Sequence, residues 1–428
     1  MTARRECSEE TVLVAIDVAK TWNTVLVEMP DARRQRFRVG NNRCDHDRFV
    51  HWLKDQNVRC RIALEPTGNY HRPLAHRLLN EGFEVHLVSS EAAARFREAM
   101  YNSWDKNDPK DATVILGMLK QEQVLHYHDP VVAGIHDLQE LSKTYVQVTR
   151  ARTRLQHSIL THHLPLYWPA FGRYWHSSRA DWFARFLLRF PVPEAVRRLD
   201  RETFVEEAWT LVGRKVNKKA KLEEIYELAN DTIALPMDPE GHAVQAFRLQ
   251  LQRYLSLNGL RDQLESWAGD ALAENEDAQL LRSIPGIGPV LALVILAEAG
   301  DLRRFRHHRQ FLKFCGLDLA KSQSGASRGR ERLSKRGNAR LRYAFWMAGS
   351  VAIRMRENSF RDKYQRYIRS DPANPDLKRK ALSAVMAKMA RVAYAIVKTQ
   401  TPYRAYFEAA VPSGSIPLSR AVEAARTS

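Results

Sequence analysis

The chain contains few cysteines and no long apolar run. Its 428 residues include four cysteines, and none of them forms a C-x-x-C pair, which argues against a zinc site or a disulfide framework and indicates reduced thiols. No stretch of about 18 apolar residues could cross a membrane, and no apolar signal segment opens the chain. We therefore expect a soluble, cytoplasmic protein with no membrane partner.

Acidic residues are also in deficit. The 67 Lys and Arg residues outnumber the 49 Asp and Glu residues and give a formal net charge of +18. Between residues 301 and 343 there are 13 basic residues and 3 acidic ones. An excess concentrated in this way predicts a binding face for a polyanion, most simply nucleic acid.

The first part of the chain alternates strand-like and helix-like runs. Three strand-like runs come first, and the order is strands 11–16, 24–28 and 35–39, helix 46–56, strand 59–64, helix 70–80 and strand 84–88. Three strands, a helix, and then alternating strands and helices predict an α/β domain of the RNase H-like type. We place this domain in residues 1–128.

Carboxylates stand at the ends of these runs. Asp17 follows the first strand and Glu65 follows the fourth, while Asp108 and Asp111 precede an apolar stretch. Carboxylates that converge at one end of a sheet form an oxygen cage for Mg²⁺, which activates the attacking oxygen in phosphoryl transfer. Simpler roles stay open at this point: Asp17 could belong to a turn, Asp108 could cap a helix, and Asp105 is a rival ligand.

The middle of the chain, residues 129–274, has a helical pattern. Two apolar series follow the spacing of three and four that is typical of a coiled coil: Leu138, Leu141, Tyr145, Val148, Leu155 and Ile159, and then Val244, Phe247, Leu251, Tyr254, Leu257, Leu260, Leu264 and Trp267. The two helices could pair within one chain or between two chains. Residues 164–240 are rich in Trp, Phe and Arg and indicate an insertion that could contact nucleic acid.

Residues 275–355 combine a glycine turn with the basic cluster. Gly286 and Gly288 lie between two helical runs and resemble a helix–hairpin–helix, in which backbone N–H groups approach a DNA phosphate; a plain tight turn is the alternative. Five residues that could neutralise phosphates follow: Arg328, Arg330, Arg332, Lys335 and Arg336. Ser324 lies just before them, but spacing alone does not make it a nucleophile, and Ser334 would cap a helix near residue 337. Residues 356–428 are predicted to form a helical extension.

Several motifs, in the same order, resemble the DEDD transposases of bacterial insertion sequences. The motifs are Ala-Ile-Asp17-Val-Ala-Lys, Glu65-Pro-Thr-Gly-Asn-Tyr, Asn-Asp108-Pro-Lys-Asp111-Ala, Pro-Gly286-Ile-Gly288-Pro, Gln-Ser324-Gly and Ser334-Lys-Arg-Gly-Asn. The likeness covers residues 10–160 and 275–350. The chain departs from compact members in its length, at residues 164–240 and after residue 355.

The resemblance implies a RuvC-like domain that binds Mg²⁺ through Asp17, Glu65, Asp108 and Asp111, and it selects these residues over Asp105. It also implies a mainly α-helical transposase domain with a nucleophilic serine that attacks DNA and holds the cut end as a phosphoserine ester. The Ser-Gly match assigns that role to Ser324, with Ser322 and Ser334 as rivals.

The resemblance implies partners as well. Members of the family resemble programmable recombinases, in which a bridge RNA pairs with donor and target DNA, and they assemble as dimers that meet in a tetramer. A bacterial, nucleoid-associated location would follow. Two other functions fit the same residues: a hydrolytic Holliday-junction resolvase that uses only the carboxylates, and a non-catalytic nucleic-acid-binding protein.

Overall fold

A computed structural model of the protein describes residues 11–101, 108–176, 181–213, 217–320, 323–324, 327–328 and 332–405. The chain divides into two compact units, Met1–Gly134 and Ile135–Ser428. Across these described ranges, no helix is both long and apolar enough to span a membrane.

The amino-terminal unit is a mixed sheet with helices on both faces. Its described elements are β1 (Thr11–Asp17), β2 (Trp22–Glu28), β3 (Arg34–Gly40), α1 (Arg43–Asp55), β4 (Arg59–Glu65), α2 (His71–Asn80), β5 (Glu84–Leu87), α3 (Ser90–Tyr101), α4 (Asp108–Lys120) and β6 (Leu125–His126). The strand order is β3-β2-β1-β4-β5-β6. Strands β1 to β3 pair antiparallel, whereas β1, β4 and β5 pair in parallel. This is the RNase H-like arrangement that the order of runs predicts.

Alternation along β1 explains how both faces of the sheet are covered. Val14 and Ile16 belong to a core shared with α1 and α2, whereas Ala15 and Ala63 belong to a second core shared with α3 and α4. Successive side chains of a strand point to opposite faces, so the apolar run of β1 serves both cores. The helix α4 packs on β1, β2 and β4, on the face that carries the two small alanines.

The carboxy-terminal unit is mainly helical. Its described elements are α5 (His136–Ser158), a π turn (Ile159–His163), α6 (Leu164–Tyr167), a 3₁₀ turn (Pro169–Tyr174), α7 (Trp182–Arg189), α8 (Pro193–Arg197), α9 (Arg201–Ala208), α10 (Lys218–Asp231), α11 (His242–Ala271), α12 (Glu276–Arg282), α13 (Pro289–Ala299), a 3₁₀ turn (Leu302–Arg304), α14 (His308–Cys315), β7 (Leu319–Ala320), β8 (Gln323–Ser324), β9 (Ser327–Arg328), β10 (Arg332–Leu333), α15 (Ala339–Ala352), α16 (Ser359–Ile368) and α17 (Pro375–Thr399).

Helices α5 and α11 pack against each other in antiparallel directions. The hydroxyl of Tyr145 donates to Oε1 of Glu265 at 3.1 Å. Arg152, two turns further along α5, donates to Asn258 and to the hydroxyl of Tyr254. Residue numbers therefore rise along one helix as they fall along the other. The two apolar series belong to helices that pair within one chain.

The predicted apolar series on α11 is wrong at Leu260 and Trp267, whereas Leu264 is buried as predicted. The buried positions after Tyr254 are Asn258, Arg261, Leu264 and Ala268. Leu260 and Trp267 are instead about half-exposed, at 49% and 50%. A straight helix has 3.6 residues per turn, so a buried stripe drifts away from a strict seven-residue repeat. The hydrogen bond from Arg152 to Asn258 makes the burial of a polar residue there tolerable.

Residues 164–240 form helices with an aromatic core of their own. Helices α6 to α10 pack with the start of α11 around six large buried rings, Trp168, Phe171, Phe186, Phe190, Phe204 and Phe247. The rings of Phe171 and Phe186 stack with centroids 4.9 Å apart. Much of the aromatic content of this segment therefore serves packing.

Helices α12 to α17 enclose the second core of this unit, which is largely aliphatic. The most apolar helix, α13, is buried along most of its length and packs against α5, α11, α12 and α15. The long helix α17 packs against α12, α14, α15 and α16. Helices α16 and α17, beyond residue 355, thus complete the core of this unit.

Candidate active site and nucleic-acid interface

Asp17 and Glu65 are neighbours in the sheet. They are the last residues of β1 and β4, and they are register partners in the parallel ladder between these strands. Adjacent strands lie about 4.8 Å apart. The two residues stand two positions after Ala15 and Ala63, so they lie on the face that α4 covers. Both are half-buried.

A network of amides holds the loop that follows Asp17. Asn23 is fully buried, and its Nδ2 donates to Oδ1 of Asn41 at 2.7 Å. The side chain of Asn41 donates in turn to the carbonyl oxygens of Ala19 and Lys20, at 2.7 and 3.0 Å. The network ties the end of β1 to β2 and β3. Sequence reasoning missed both asparagines because this residue type is common in ordinary turns.

An ion pair fixes the direction of α4 along the sheet. Nζ of Lys120, the last residue of α4, lies 2.5 Å from Oε1 of Glu28, and Glu28 is the register partner of Leu13 in β1. From Lys120 back to Asp111 the helix rises roughly 13 Å, at about 1.5 Å per residue. From Leu13 to Asp17 the strand also covers roughly 13 Å, at about 3.3 Å per residue. The start of α4 therefore lies at the end of the sheet where β1 ends.

Asp111 continues the sheet-facing stripe of α4. Ala112 and Ile115 of this helix pack into the core against the sheet. Asp111 precedes Ile115 by four positions, which is about one helical turn, and so shares its side of the helix. Asp108 is the first residue of α4, one position later than the N-cap that the capping alternative assigns to it; that alternative stays a prediction.

Asp111 forms a buried ion pair that sequence reasoning missed. Its Oδ1 lies 2.5 Å from Nη2 of Arg97 on α3, and the two side chains are only 1% and 11% exposed. No hydrogen-bond donor in the described part of the chain has suitable geometry toward this oxygen. The one signal in the sequence is that Arg97 stands a helical turn after Ala93, which is buried. A buried carboxylate oxygen with unused acceptor capacity suits a cation.

The described residues do not assemble a complete metal cage. Within the ranges given above, no three Asp, Glu, His or Cys side chains come close enough together to hold an ion. Asp17, Glu65 and Asp111 share one end of the sheet, and the rival ligand Asp105 lies outside the described residues. The four-carboxylate site therefore stays a prediction.

The glycine turn joins α12 to α13 and packs against α15. Gly286 has φ +89°, and a Cβ built on it would lie 2.3 Å from the carbonyl oxygen of Ala348, so this contact alone requires glycine. Gly288 precedes α13 and is exposed, and a Cβ there would meet nothing within 4 Å. A role for either glycine in binding phosphate stays a prediction.

Ser324 lies in the inner of two nested antiparallel strand pairs. Strand β7 pairs with β10, and β8 pairs with β9, with Ser324 opposite Ser327. Arg328 is the register partner of the residue before Ser324. The predicted residues Ser322 and Arg330 lie outside the described residues.

The loop 334–338 closes over the end of α14. Gly337 has φ +135°, and a Cβ there would lie 2.5 Å from the carbonyl oxygen of Phe314. The backbone N–H of Asn338 donates to the same oxygen at 2.7 Å. Asn338 also caps α15, so the prediction that Ser334 caps this helix is wrong; the hydroxyl of Ser334 accepts from the N–H of Arg336 instead. Ser334 stands four residues before the N-cap position, too far to cap the helix.

The remaining basic residues of the predicted interface are accessible. Arg332, Lys335 and Arg336 are all exposed. Arg340 differs from them because its Nη1 lies 2.7 Å from Oε1 of Glu298. Within the described residues, no ion pair of that kind holds Arg332, Lys335 or Arg336, so these three side chains can reach a polyanion directly.

The sheet order and the paired carboxylates define an RNase H-like domain of the kind that processes nucleic acids. A family model of DEDD type, described as Transposase, matches residues 14–169, and a model described as Transposase IS116/IS110/IS902 family matches residues 278–365. Together they cover more than half of the chain. The chain belongs to the IS110/IS116/IS902 family of transposases, enzymes that cleave and join DNA. This confirms the family that the motifs predict; the DEDD domain implies a divalent metal, and transposase activity implies binding to DNA.

Similar proteins come from several bacteria. "Probable family 20 transposase" of Pseudomonas aeruginosa is 25% identical over 386 residues, which is 87% of this chain and 97% of the relative. "Insertion element IS116 uncharacterized 44.8 kDa protein" of Streptomyces clavuligerus is 26% identical over 71% of this chain and 75% of its own length. "Transposase for insertion sequence element IS1111A" of Coxiella burnetii is 32% identical over 30% of this chain and 35% of its own length.

Proposed function

We propose that this transposase cuts and rejoins DNA through a phosphoserine intermediate, with Mg²⁺ bound by Asp17, Glu65, Asp108 and Asp111 and with Ser324 as the nucleophile. The observation that carries the proposal is the register pairing of Asp17 and Glu65 at the ends of adjacent parallel strands. The start of α4 at the same end of the sheet supports the other two ligands.

The residues at this end of the sheet fit a hard divalent cation. All the candidate donors are carboxylate oxygens, which Mg²⁺ prefers, and Asp111 has a buried oxygen with acceptor capacity to spare. When bound, the ion would stabilise the negative charge on the scissile phosphate and on the leaving oxygen. Arg97 holds Asp111 in position and offsets part of the repulsion among the acids.

The proposed chemistry exchanges one ester bond for another. The Ser324 oxygen bonds to phosphorus as a bond from phosphorus to a DNA oxygen breaks; the serine gives up its proton, and the released DNA oxygen takes one up. A DNA hydroxyl then attacks the phosphoserine and expels the serine. The number of ester bonds is unchanged, so rejoining needs no ATP. Arg328 and Arg332, close to Ser324 along the chain, would stabilise charge on the phosphate.

In this proposal a bridge RNA selects the DNA sites. The protein assembles as dimers, and two dimers meet in a tetramer. The nucleic-acid contacts are assigned to Gly286, Gly288, Arg328, Arg330, Arg332, Lys335 and Arg336. Arginine and lysine give affinity for any phosphate backbone, so base pairing with an RNA would supply the specificity. The half-exposed Leu260 and Trp267 on α11 offer an apolar surface to a second chain.

A nicked suicide substrate tests the nucleophile. The wild type should accumulate a covalent protein–DNA adduct, and Ser324→Ala should form none, while Ser322→Ala and Ser334→Ala should behave as the wild type. Asp17→Asn and Glu65→Gln should lose cleavage and keep DNA binding. Normal cleavage by Ser324→Ala without an adduct would instead indicate a hydrolytic resolvase.

Sequencing of copurified RNA tests the guide. Protein isolated from cells that carry the element should retain one enriched RNA, and nuclease treatment should abolish recombination. Recombination that survives complete removal of RNA would contradict guidance, and it would leave the serine chemistry intact.

A further inference from the structure

A strongly basic cleft lies between helices that the family models do not fully cover. It is formed by α16, α17 and the first residue of α14, and it encloses about 620 Å³. Five basic side chains line it, namely His308, Lys363, Arg366, Lys388 and Arg391. Among the described residues, no Asp or Glu belongs to the lining. Helix α17 lies wholly beyond residue 365, where the second family match ends.

The basic side chains of this cleft repel one another. Burial lowers the pKa of Lys363, and the positive charges of Arg391 and Arg366 lower it further. Burial likewise lowers the pKa of Lys388, with Lys363 and Arg366 adding to the effect and Asp362 opposing it. Crowding of like charges raises the free energy of the folded protein. A bound anion would relieve this repulsion.

Two side chains of the cleft are held by hydrogen bonds, and two others are exposed. Nζ of Lys388 donates to the carbonyl oxygen of Ser359 at 2.9 Å, and the hydroxyl of Tyr394 donates to the carbonyl oxygen of Phe305 at 3.0 Å. Arg366 and Arg391 are both exposed. The cleft therefore combines two half-buried lysines, Lys363 and Lys388, with two exposed arginines that a large ligand can reach.

The spacing of the cations suits a chain of phosphates. Lys363 and Arg366 are three residues apart on α16, and Lys388 and Arg391 are three residues apart on α17. Residues at this spacing lie on one side of a helix, roughly one turn or about 5 Å apart along its axis. Each helix thus presents a pair of cations, whereas a single phosphate ion would occupy only one or two of them.

We propose that this basic cleft binds the phosphodiester backbone of a nucleic acid, at a position separate from the cluster around residues 328–336. The inference rests on the proposed function in one respect, namely that both DNA and RNA are substrates or partners of the protein. It assigns a role to residues 356–399, which otherwise only complete the core.

The dependence of binding on salt tests the proposal. The full-length double variant Arg366→Glu/Arg391→Glu would be titrated with duplex DNA and with single-stranded RNA of equal length at several salt concentrations. Loss of two phosphate contacts should reduce the slope of log K against log salt by about 1.8 for the duplex and about 1.4 for the single strand. The matched control is Lys378→Glu/Lys380→Glu, which makes the same charge change at exposed positions of α17 outside the cleft.

The outcomes separate the ligands. A smaller slope with DNA alone, with RNA alone or with both identifies the nucleic acid that occupies the cleft. An unchanged slope in both titrations, or an equal fall in the control, would overturn the proposal, and an acidic protein partner would then be the better candidate. The milder pair Arg366→Gln/Arg391→Gln serves if the reversal variant does not fold. Binding is measured without cleavage, so a failure of the serine chemistry would not affect the result.

Discussion

Replacement of Arg97 with methionine removes one partner of the buried pair at the end of the sheet. The Asp111 side chain is 1% exposed, and its Oδ1 lies 2.5 Å from Nη2 of Arg97. Without the guanidinium, the carboxylate is left buried and uncompensated, which costs about 3–5 kcal/mol when one member of such a pair is deleted. Methionine keeps most of the side-chain volume, so the loss reports chiefly on the charge.

Hydrogen exchange of the full-length protein measures this loss locally. Amides of β1 and α4 that exchange by opening of the amino-terminal unit should exchange on the order of a hundred- to several-thousand-fold faster in Arg97→Met, the factor that about 3–5 kcal/mol produces. The control is Arg95→Met on the same helix. Arg95 is 62% exposed and pairs with Glu91, and an exposed pair contributes about 0–1 kcal/mol.

Magnesium provides the second half of the test. An ion that binds at Asp111 would replace part of the missing positive charge, so Mg²⁺ should slow exchange more in Arg97→Met than in the wild type. Equal exchange in Arg97→Met and Arg95→Met would refute the buried pair as a stabilising contact. If exchange is faster in Arg97→Met but Mg²⁺ does not slow it, metal binding at Asp111 is refuted and the buried ion pair is not.

Two further predictions concern packing and pH. Gly286→Ala should destabilise the carboxy-terminal unit by about 1–3 kcal/mol, because φ is positive there and the new Cβ would meet the Ala348 carbonyl oxygen. The control is Gly288→Ala, at an open position, which should lower the thermal midpoint much less. Equal shifts of the midpoint in the two variants would contradict the packing of Gly286 against α15. Burial acts to raise the pKa of Glu28, but Lys120 and Arg34 together hold it below its ordinary value of 4.5. The ionised Glu28 therefore stabilises the fold fully above pH 4.5, and this stabilisation is lost as the pH falls through the lowered pKa. In Glu28→Gln, the free energy of unfolding should fall less steeply with decreasing pH than in the wild type. An unchanged pH dependence would count against the ion pair between Glu28 and Lys120.

The sequence predicted the parts of this protein that depend on local pattern. Alternation and apolar runs gave the strands of the sheet, and the order of elements gave the RNase H-like class. The motifs around Asp17, Glu65 and Asp108 identified the family. Helical spacing also indicated α5 and the first half of α11, since these patterns repeat within a few turns.

Local sequence pattern could not predict contacts between residues that are far apart in the chain. Arg97 sits on an amphipathic helix like many surface arginines, and only its distance to Asp111 sets it apart. Asn258 can be buried on α11 because Arg152 of α5 donates a hydrogen bond to it.

The amino-acid composition alone determined two properties of this protein. The excess of positive charge favours binding to polyanions, and the carboxylates of the motifs are residues that could bind a metal ion. Only the tertiary structure decided that Asp17 and Glu65 are register partners, that Lys120 directs α4 toward them, and that cations of α16 and α17 meet in one cleft. The physical reason is that strand register and helix direction follow from burial and ion pairing over the whole unit, which no local window of sequence contains.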